Sequence, residues 1–143
     1  MSEPGPVVYV VDDDPSYRTA VARLLRGSGY RVETSASASD LLRDLPPDAA
    51  GCVLTDLRMP GLSGLDLQEA LARSASPLPV VFVSGQGDVP ATARALKGGA
   101  VDFLTKLGTK ADLFEAVERG LALGARQREE RERLRECRAL YDR

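Results

Sequence analysis

Val53-Leu54-Thr55-Asp56-Leu57-Arg58-Met59-Pro60-Gly61 is the stretch that decides the fold. Cys52-Val53-Leu54 is an apolar run of strand length, and the strand ends in a carboxylate followed by Met-Pro-Gly. Pro60 and Gly61 stop it and begin a turn, which leaves Asp56 at the strand's carboxyl end, facing outwards. In an open α/β sheet, ligands bind outside that edge. A lone acid there means little, because Asp is common at strand ends. Its company changes the weight. Val7-Val8-Tyr9-Val10-Val11 is a second buried-type strand running into Asp12-Asp13-Asp14, and Val80-Val81-Phe82-Val83 is a third ending in Ser84-Gly85. Val101-Asp102-Phe103-Leu104-Thr105 is a fourth, ending in Lys106. If these strands are parallel neighbours, three carboxylates, one hydroxyl and one ammonium converge on a single edge.

Outward from that stretch, strand and helix alternate along the chain. Asp14 is a good N-cap and Pro15 suits the first helical position of a helix carrying Tyr17, Ala20, Val21, Leu24 and Leu25 as far as Gly27. Tyr30 to Thr34 reads as a short strand. Ser37 with Asp40 resembles a capping box for a helix that Pro46-Pro47 stops. Ser63 or Gly64 opens a third helix through Leu71 and Ala72. Asp88 is expected to cap a fourth, Ala91 to Lys97, closed by Gly98-Gly99. Thr109 caps a fifth through Leu121. Five such alternations predict a doubly wound α/β domain with a parallel sheet.

Beyond Gly124 the character changes: Ala125 to Arg143 carries seven arginines and five acids. Leu134, Cys137 and Tyr141 fall at coiled-coil spacing, but Gln127 and Glu130 occupy the same seam upstream. The pattern predicts a polar helix continuing the fifth, with Gly124 a candidate break, and a solvated linker competes evenly with a dimer seam.

At 143 residues, 43% hydrophobic and 28% charged, the chain is sized and composed for one good core. A formal charge of −2 leaves no footprint for nucleic acid or an anionic membrane. No apolar run is long enough to span a bilayer, no secretory signal is visible, and cytoplasm is the expected location. Cys52 and Cys137 form neither a disulfide framework nor a zinc site. The chain has no histidine. This excludes Ser-His-Asp, Cys-His and His-ligated metal chemistry, along with a phosphohistidine in this chain. Chemistry must run on carboxylates, hydroxyls, lysine or a bound ion.

Adjacent Asp12-Asp13 and distant Asp56 crowd negative charge into one cleft, so the site should raise a pKa or recruit a cation. All-oxygen donors suit Mg²⁺ shared with a phosphate. A carboxylate can attack phosphorus to form an aspartyl phosphate, with Lys106 as a second cation and Ser84 donating to another oxygen. Taken singly, Lys106 reads more readily as a structural salt bridge and Ser84 as a loop cap. The coincidence of four strand ends is what favours the chemical reading.

Asp12-Asp13, Asp56-x-x-Met59-Pro60-Gly61, Ser84-Gly85 and Lys106 together resemble the receiver domain of two-component response regulators. The likeness covers Pro6 to Leu123, leaving residues 124–143 as a charged linker helix. Val11-Asp12-Asp13-Asp14-Pro15, Gly85-x-Gly87-Asp88-Val89-Pro90 and Gly99-Ala100-Val101-Asp102-Phe103-Leu104 are most similar to the FixJ-type branch, in which a linker helix and a helix-turn-helix domain follow the receiver. The resemblance implies a flavodoxin-like five-stranded sheet in the order 2-1-3-4-5, with five helices and a C-terminal helical extension. It implies Asp56 as phosphoacceptor, with Mg²⁺ held by Asp12, Asp13, Asp56 and the Arg58 carbonyl, and Asp13 the more direct ligand of the acidic pair. It further implies Ser84 and Lys106 on the phosphoryl group, and Ser84 with Phe103 as the switch.

The expected function is a switch rather than a metabolic enzyme, although it performs its own phosphoryl transfer. It takes the group from a sensor histidine kinase, with transcription as the output through a DNA-binding domain absent from this chain. A homodimer on activation is left open, and no membrane partner is expected. Lys106 is followed by Leu107-Gly108, where the family usually has Pro and the bond is typically cis. A cis bond before Leu would cost roughly 2.5–4 kcal/mol, so Lys106–Leu107 should be trans, with Gly108 absorbing the altered path. That departure supports a rival, a phosphorylation-independent interaction module. A flavodoxin-like cofactor binder fares worse, because no strand-to-helix turn offers phosphate-cradling glycines.

Overall fold

The computed structural model describes residues 5–74, 77–85 and 89–141. Five strands alternate with five helices: β1 (Val7–Val11), α1 (Pro15–Gly27), β2 (Arg31–Ser35), α2 (Ala38–Asp44), β3 (Gly51–Asp56), α3 (Gly64–Ala72), β4 (Val80–Ser84), α4 (Val89–Lys97), β5 (Asp102–Thr105) and α5 (Lys110–Tyr141). All strand pairs are parallel, in the order β2-β1-β3-β4-β5. The flavodoxin-like order expected from the resemblance is the order found.

Period-2 alternation divides the core between the two faces of the sheet. Val7, Tyr9, Val11, Val53 and Phe82 pack with Leu41, Leu67, Leu71 and Ala95, on the face of α2, α3 and α4. Val8, Val10, Leu54, Val81 and Val83 pack with Leu25, Ala116 and Val117, on the face of α1 and α5. β1, β3 and β4 are buried along their whole lengths, which is why they read as continuous apolar runs. Edge strand β2 buries only Val32 fully.

The helix starts follow the capping signals, with one exchange. The Asp14 side chain accepts from the Ser16 and Tyr17 amides, and Thr109 accepts from Asp112. Ser37 accepts from the Asp40 amide. The full reciprocal capping box lies instead at Ser63 and Asp66, which opens α3. The expected Asp88 cap and Gly87 fall outside the described residues.

Two close approaches lock helices to the active edge and to its opposite. A Cβ on Gly64 would lie 2.3 Å from the Asp56 carbonyl oxygen and 2.9 Å from the Phe82 ring, so only glycine lets α3 start against β3. At the other end, a Cβ on Gly124 would lie 2.6 Å from the Gly51 carbonyl oxygen. Gly124 therefore marks a packing point and not a break: α5 runs through it unbroken. Arg128 fastens the extension by donating to the Asp48 carbonyl at 2.8 Å. Further out, Leu134 and Leu140 are exposed. Among the described residues, no helix is long and apolar enough to cross a membrane.

Candidate functional site

The carboxyl ends of β1, β3, β4 and β5 meet at one edge, where β1 delivers two acids and each of the others one functional group. Asp12 follows β1 directly, with its amide bonded to the Ser35 carbonyl at 3.2 Å. One of its carboxylate oxygens accepts the Asp14 amide at 2.9 Å, and the Arg18 guanidinium donates to the Asp12 carbonyl at 2.7 Å. These bonds fix the strand-to-helix turn, leaving Asp12 buried and Asp13 exposed beside it. Asp56 ends β3, 9% exposed, and its Oδ1 accepts the Arg58 amide at 3.3 Å. One oxygen from each of Asp12, Asp13 and Asp56 lies within 4.8 Å of the others. Three carboxylates at that spacing make an all-oxygen donor set that a hard divalent cation fits.

Lys106 reaches into this cluster from β5. The described residues contain no cis peptide, so Lys106–Leu107 is trans as the energetic argument requires. The chain turns because the Gly108 amide bonds back to the Thr105 carbonyl at 3.0 Å. Gly108 does not take a left-handed φ. What it supplies is space, since a Cβ would sit 3.1 Å from that same carbonyl. The expectation that its backbone freedom redirects the chain is corrected accordingly. The Lys106 amide bonds to the Ser84 carbonyl at 2.9 Å, anchoring the backbone in register with β4. Its ammonium lies 2.9 Å from Asp12 Oδ2 and 3.1 Å from Asp56 Oδ2. Leu107 itself is 92% exposed.

Charge is only partly balanced in this cluster. Burial raises the Asp56 pKa above the usual carboxylate value, and Asp12 adds repulsion. The hydrogen bonds from Lys106 and the Arg58 amide pull the other way without cancelling the shift. Lys106 also ends above its ordinary value: burial lowers it, and the hydrogen bonds to Asp12 and Asp56 outweigh that. The two shifts agree physically. One ammonium divided between two carboxylates gains from both, yet does not fully offset the burial of Asp56.

Ser84 is buried at the end of β4, in register with Thr105. Phe103 is half-buried on β5 and stacks on Phe82, with ring centroids 6.0 Å apart. The edge thus assembles Asp12, Asp13, Asp56, Ser84 and Lys106, with Phe103 lying one strand position before Leu104 on the α3–α4 face of the sheet. Sequence reading did not find the supporting residues. The Tyr17 ring lies under the Lys106 ammonium at 4.6 Å, Arg18 clamps the Asp12 turn, and buried Gln68 ties α3 to α4 through the Ala95 carbonyl at 2.9 Å. Tyr17 was legible only as an apolar helix position, and no local pattern marks the other two.

Comparison with known proteins agrees with this geometry. The family model described as "Response regulator receiver domain" matches residues 8–118. Response regulator protein TmoT of Ectopseudomonas mendocina is 39% identical over 142 residues, covering 99% of this chain and 64% of that protein. Transcriptional regulatory protein FixJ of Azorhizobium caulinodans is 41% identical over 120 residues, covering 84% of this chain and 57% of that one. The solved structure of response regulator StyR superposes with a TM-score of 0.89 at 44% identity, covering 97% of this chain and 70% of StyR. The chain therefore spans under two thirds of the length of such sequence relatives as TmoT and FixJ. With the fold, the strand-end acids and the family match in agreement, the chain belongs to the receiver-domain family of two-component response regulators.

Proposed function

We propose that Asp56 is the phosphoacceptor of this receiver. The observation that carries the reading is the placement of the Lys106 ammonium between Asp12 and Asp56, in a cluster where burial leaves Asp56 more basic than an ordinary carboxylate. An Asp56 oxygen forms a bond to phosphorus while the donor's P–N bond breaks, and that electron pair returns to the donor imidazole. The donor in this reading is a sensor histidine kinase, in keeping with the receiver family. Asp12, Asp13, Asp56 and the Arg58 carbonyl would hold Mg²⁺, which when bound supplies positive charge to the phosphoryl oxygens. Lys106 and the Ser84 hydroxyl contact the remaining oxygens. The module acts as a switch, with residues 6–123 as the receiver and 124–143 as a linker helix. Transcription through a DNA-binding domain is the proposed output, in keeping with the likeness to a transcriptional regulatory protein. The trans corner at Leu107 leaves Lys106 aimed at Asp56, which removes the reason for favouring a phosphorylation-independent module.

The test is incubation with acetyl phosphate and Mg²⁺ followed by mass spectrometry. One phosphoryl group is expected, on Asp56, and none in excess chelator. Label elsewhere, or undiminished label in chelator, would overturn the assignment.

Phosphate on Asp56 is expected to draw Ser84 towards it and let Phe103 turn inward, altering the face around α4. Structures with and without a fluoroberyllate phosphoryl mimic check this. An unchanged Phe103 rotamer and α4 surface would refute the switch. The tail alone offers too little apolar surface to hold two chains, so the unphosphorylated chain should sediment as a near-monomer at low concentration, and any activated dimer should involve the receiver's own faces. A tight dimer abolished by ending the chain at Leu123 would contradict that.

A further inference from the structure

The receiver family accounts for Lys106 and its two acids, but not for the aromatic ring that also meets its ammonium. Four flexible bonds link that ammonium to the backbone, and its two ionic partners, Asp12 and Asp56, are the same groups that form the candidate cation site. A divalent cation competing for those oxygens would weaken both ion pairs and repel the ammonium. The chain also leaves room for Lys106 to retreat. A cleft of about 700 Å³ between α1 and α5 is lined by Tyr17, Leu24, Leu104, Lys106 and Leu113.

Tyr17 lines that cleft beside Lys106, its ring centroid 4.6 Å from Lys106 Nζ. The backbone that carries the ring is fixed. Tyr17 lies in the first turn of α1, behind Pro15 and the Asp14 cap, and the turn below is clamped by Arg18 on the Asp12 carbonyl. An aromatic face attracts a cation without carrying a net charge, so a metal ion cannot take it from the lysine as it can take a carboxylate.

We propose that Tyr17 is a positioning residue for Lys106: its ring face keeps the ammonium at the phosphoacceptor edge when the acidic cluster is occupied by a divalent cation. The inference rests on the phosphoacceptor reading above and adds to it a residue that touches no reacting atom. The property required is the ring, not the hydroxyl. Tyr17→Phe should therefore behave like wild type, whereas Tyr17→Leu keeps apolar cover and loses the π face.

The chain has three lysines, Lys97, Lys106 and Lys110, which makes the side-chain methylenes assignable by NMR. In protein labelled with ¹³C at lysine Cε, the Lys106 methylene protons should be shifted upfield by the ring, and should remain so when Mg²⁺ is added. Tyr17→Phe should retain the shift and label with acetyl phosphate within about twofold of wild type. Tyr17→Leu should lose the shift and label about three- to tenfold more slowly at saturating Mg²⁺. The wild-type shift needs no variant to fold, and thermal melting of each variant separates lost positioning from lost structure. Wild-type Lys106 methylenes at the position of a free lysine in Mg²⁺ would overturn the proposal. So would a Tyr17→Leu rate equal to wild type, or a loss in Tyr17→Phe as large as in Tyr17→Leu. Absence of label on the wild-type chain would overturn the phosphoacceptor reading instead, with the ring shift still deciding whether Tyr17 holds Lys106.

Discussion

Asp56→Asn is expected to take up no phosphoryl group and, in metal-free buffer at neutral pH, to unfold at a higher temperature than wild type. The first effect follows from removing the nucleophilic oxygen. The second follows from the sign of the Asp56 shift. Burial first, and repulsion from Asp12 in addition, raise the folded-state pKa above the usual carboxylate value despite Lys106 and the Arg58 amide. Between the two pKa values the folded chain still holds a proton that the unfolded chain has released. Stability contributed by this group is therefore present at low pH and declines as pH rises through the window, staying lost above it. Asparagine keeps the shape and carries no charge. The stability gap between variant and wild type should accordingly be small below the ordinary carboxylate range, open as pH climbs through the raised pKa, and level off by neutrality. Thermal melts of both proteins across pH in chelator measure it. A wild type as stable as the variant at pH 7 would show that Lys106 fully offsets the burial of Asp56.

Lys106→Ala should have the opposite effect on the metal-free fold. It strands two carboxylates, Asp12 at 2% exposed and Asp56 at 9%, with their shared counterion gone. Removing one partner of a buried ion pair commonly costs about 3–5 kcal/mol, and water reaching the site reduces this to roughly 2 kcal/mol. In a chain of this size, that is about 6 °C in melting temperature. A divalent cation should then replace the missing charge. Mg²⁺ affinity is expected to rise roughly tenfold, because the competing ammonium has been removed. At a hundred times its dissociation constant, the ion would add about 2.7 kcal/mol and restore the stability. Phosphorylation is nevertheless expected to fall about 10²-fold, because one cation aimed at the phosphoryl oxygens is lost. Melting with and without Mg²⁺, paired with the acetyl phosphate assay, separates these effects. A variant that melts like wild type without metal would show that the Lys106 bridge adds nothing to stability.

Much of this could be read along the chain because the relevant physics is local. Val7–Val11, Gly51–Asp56 and Val80–Ser84 are fully buried strands, so their apolar runs are continuous and end where the polar edge begins. Caps at Asp14, Ser37, Ser63 and Thr109 act within three residues, which makes them visible as spacing. The site acids and Lys106 were legible for the same reason: each occupies the position where a strand stops. The trans Lys106–Leu107 bond followed from the intrinsic cost of a cis peptide before a non-proline residue.

Only the tertiary structure decided how the groups are balanced once they meet. That one ammonium serves both Asp12 and Asp56 depends on partners 94 and 50 positions away in the chain. That Tyr17 is a cation partner as well as a core residue depends on which way the first turn of α1 presents its ring to β5. Gly124 looked like a helix breaker by propensity, but the close passage of α5 over the Gly51 carbonyl gives the missing side chain a packing reason. Arg128 likewise read as one charge in a charged run until the fold brought the Asp48 carbonyl to it. Helix and strand periodicity reports which face of an element is apolar. Ion pairing, cation–π contact and backbone approach are properties of two surfaces together, and a single local stretch carries only one of them.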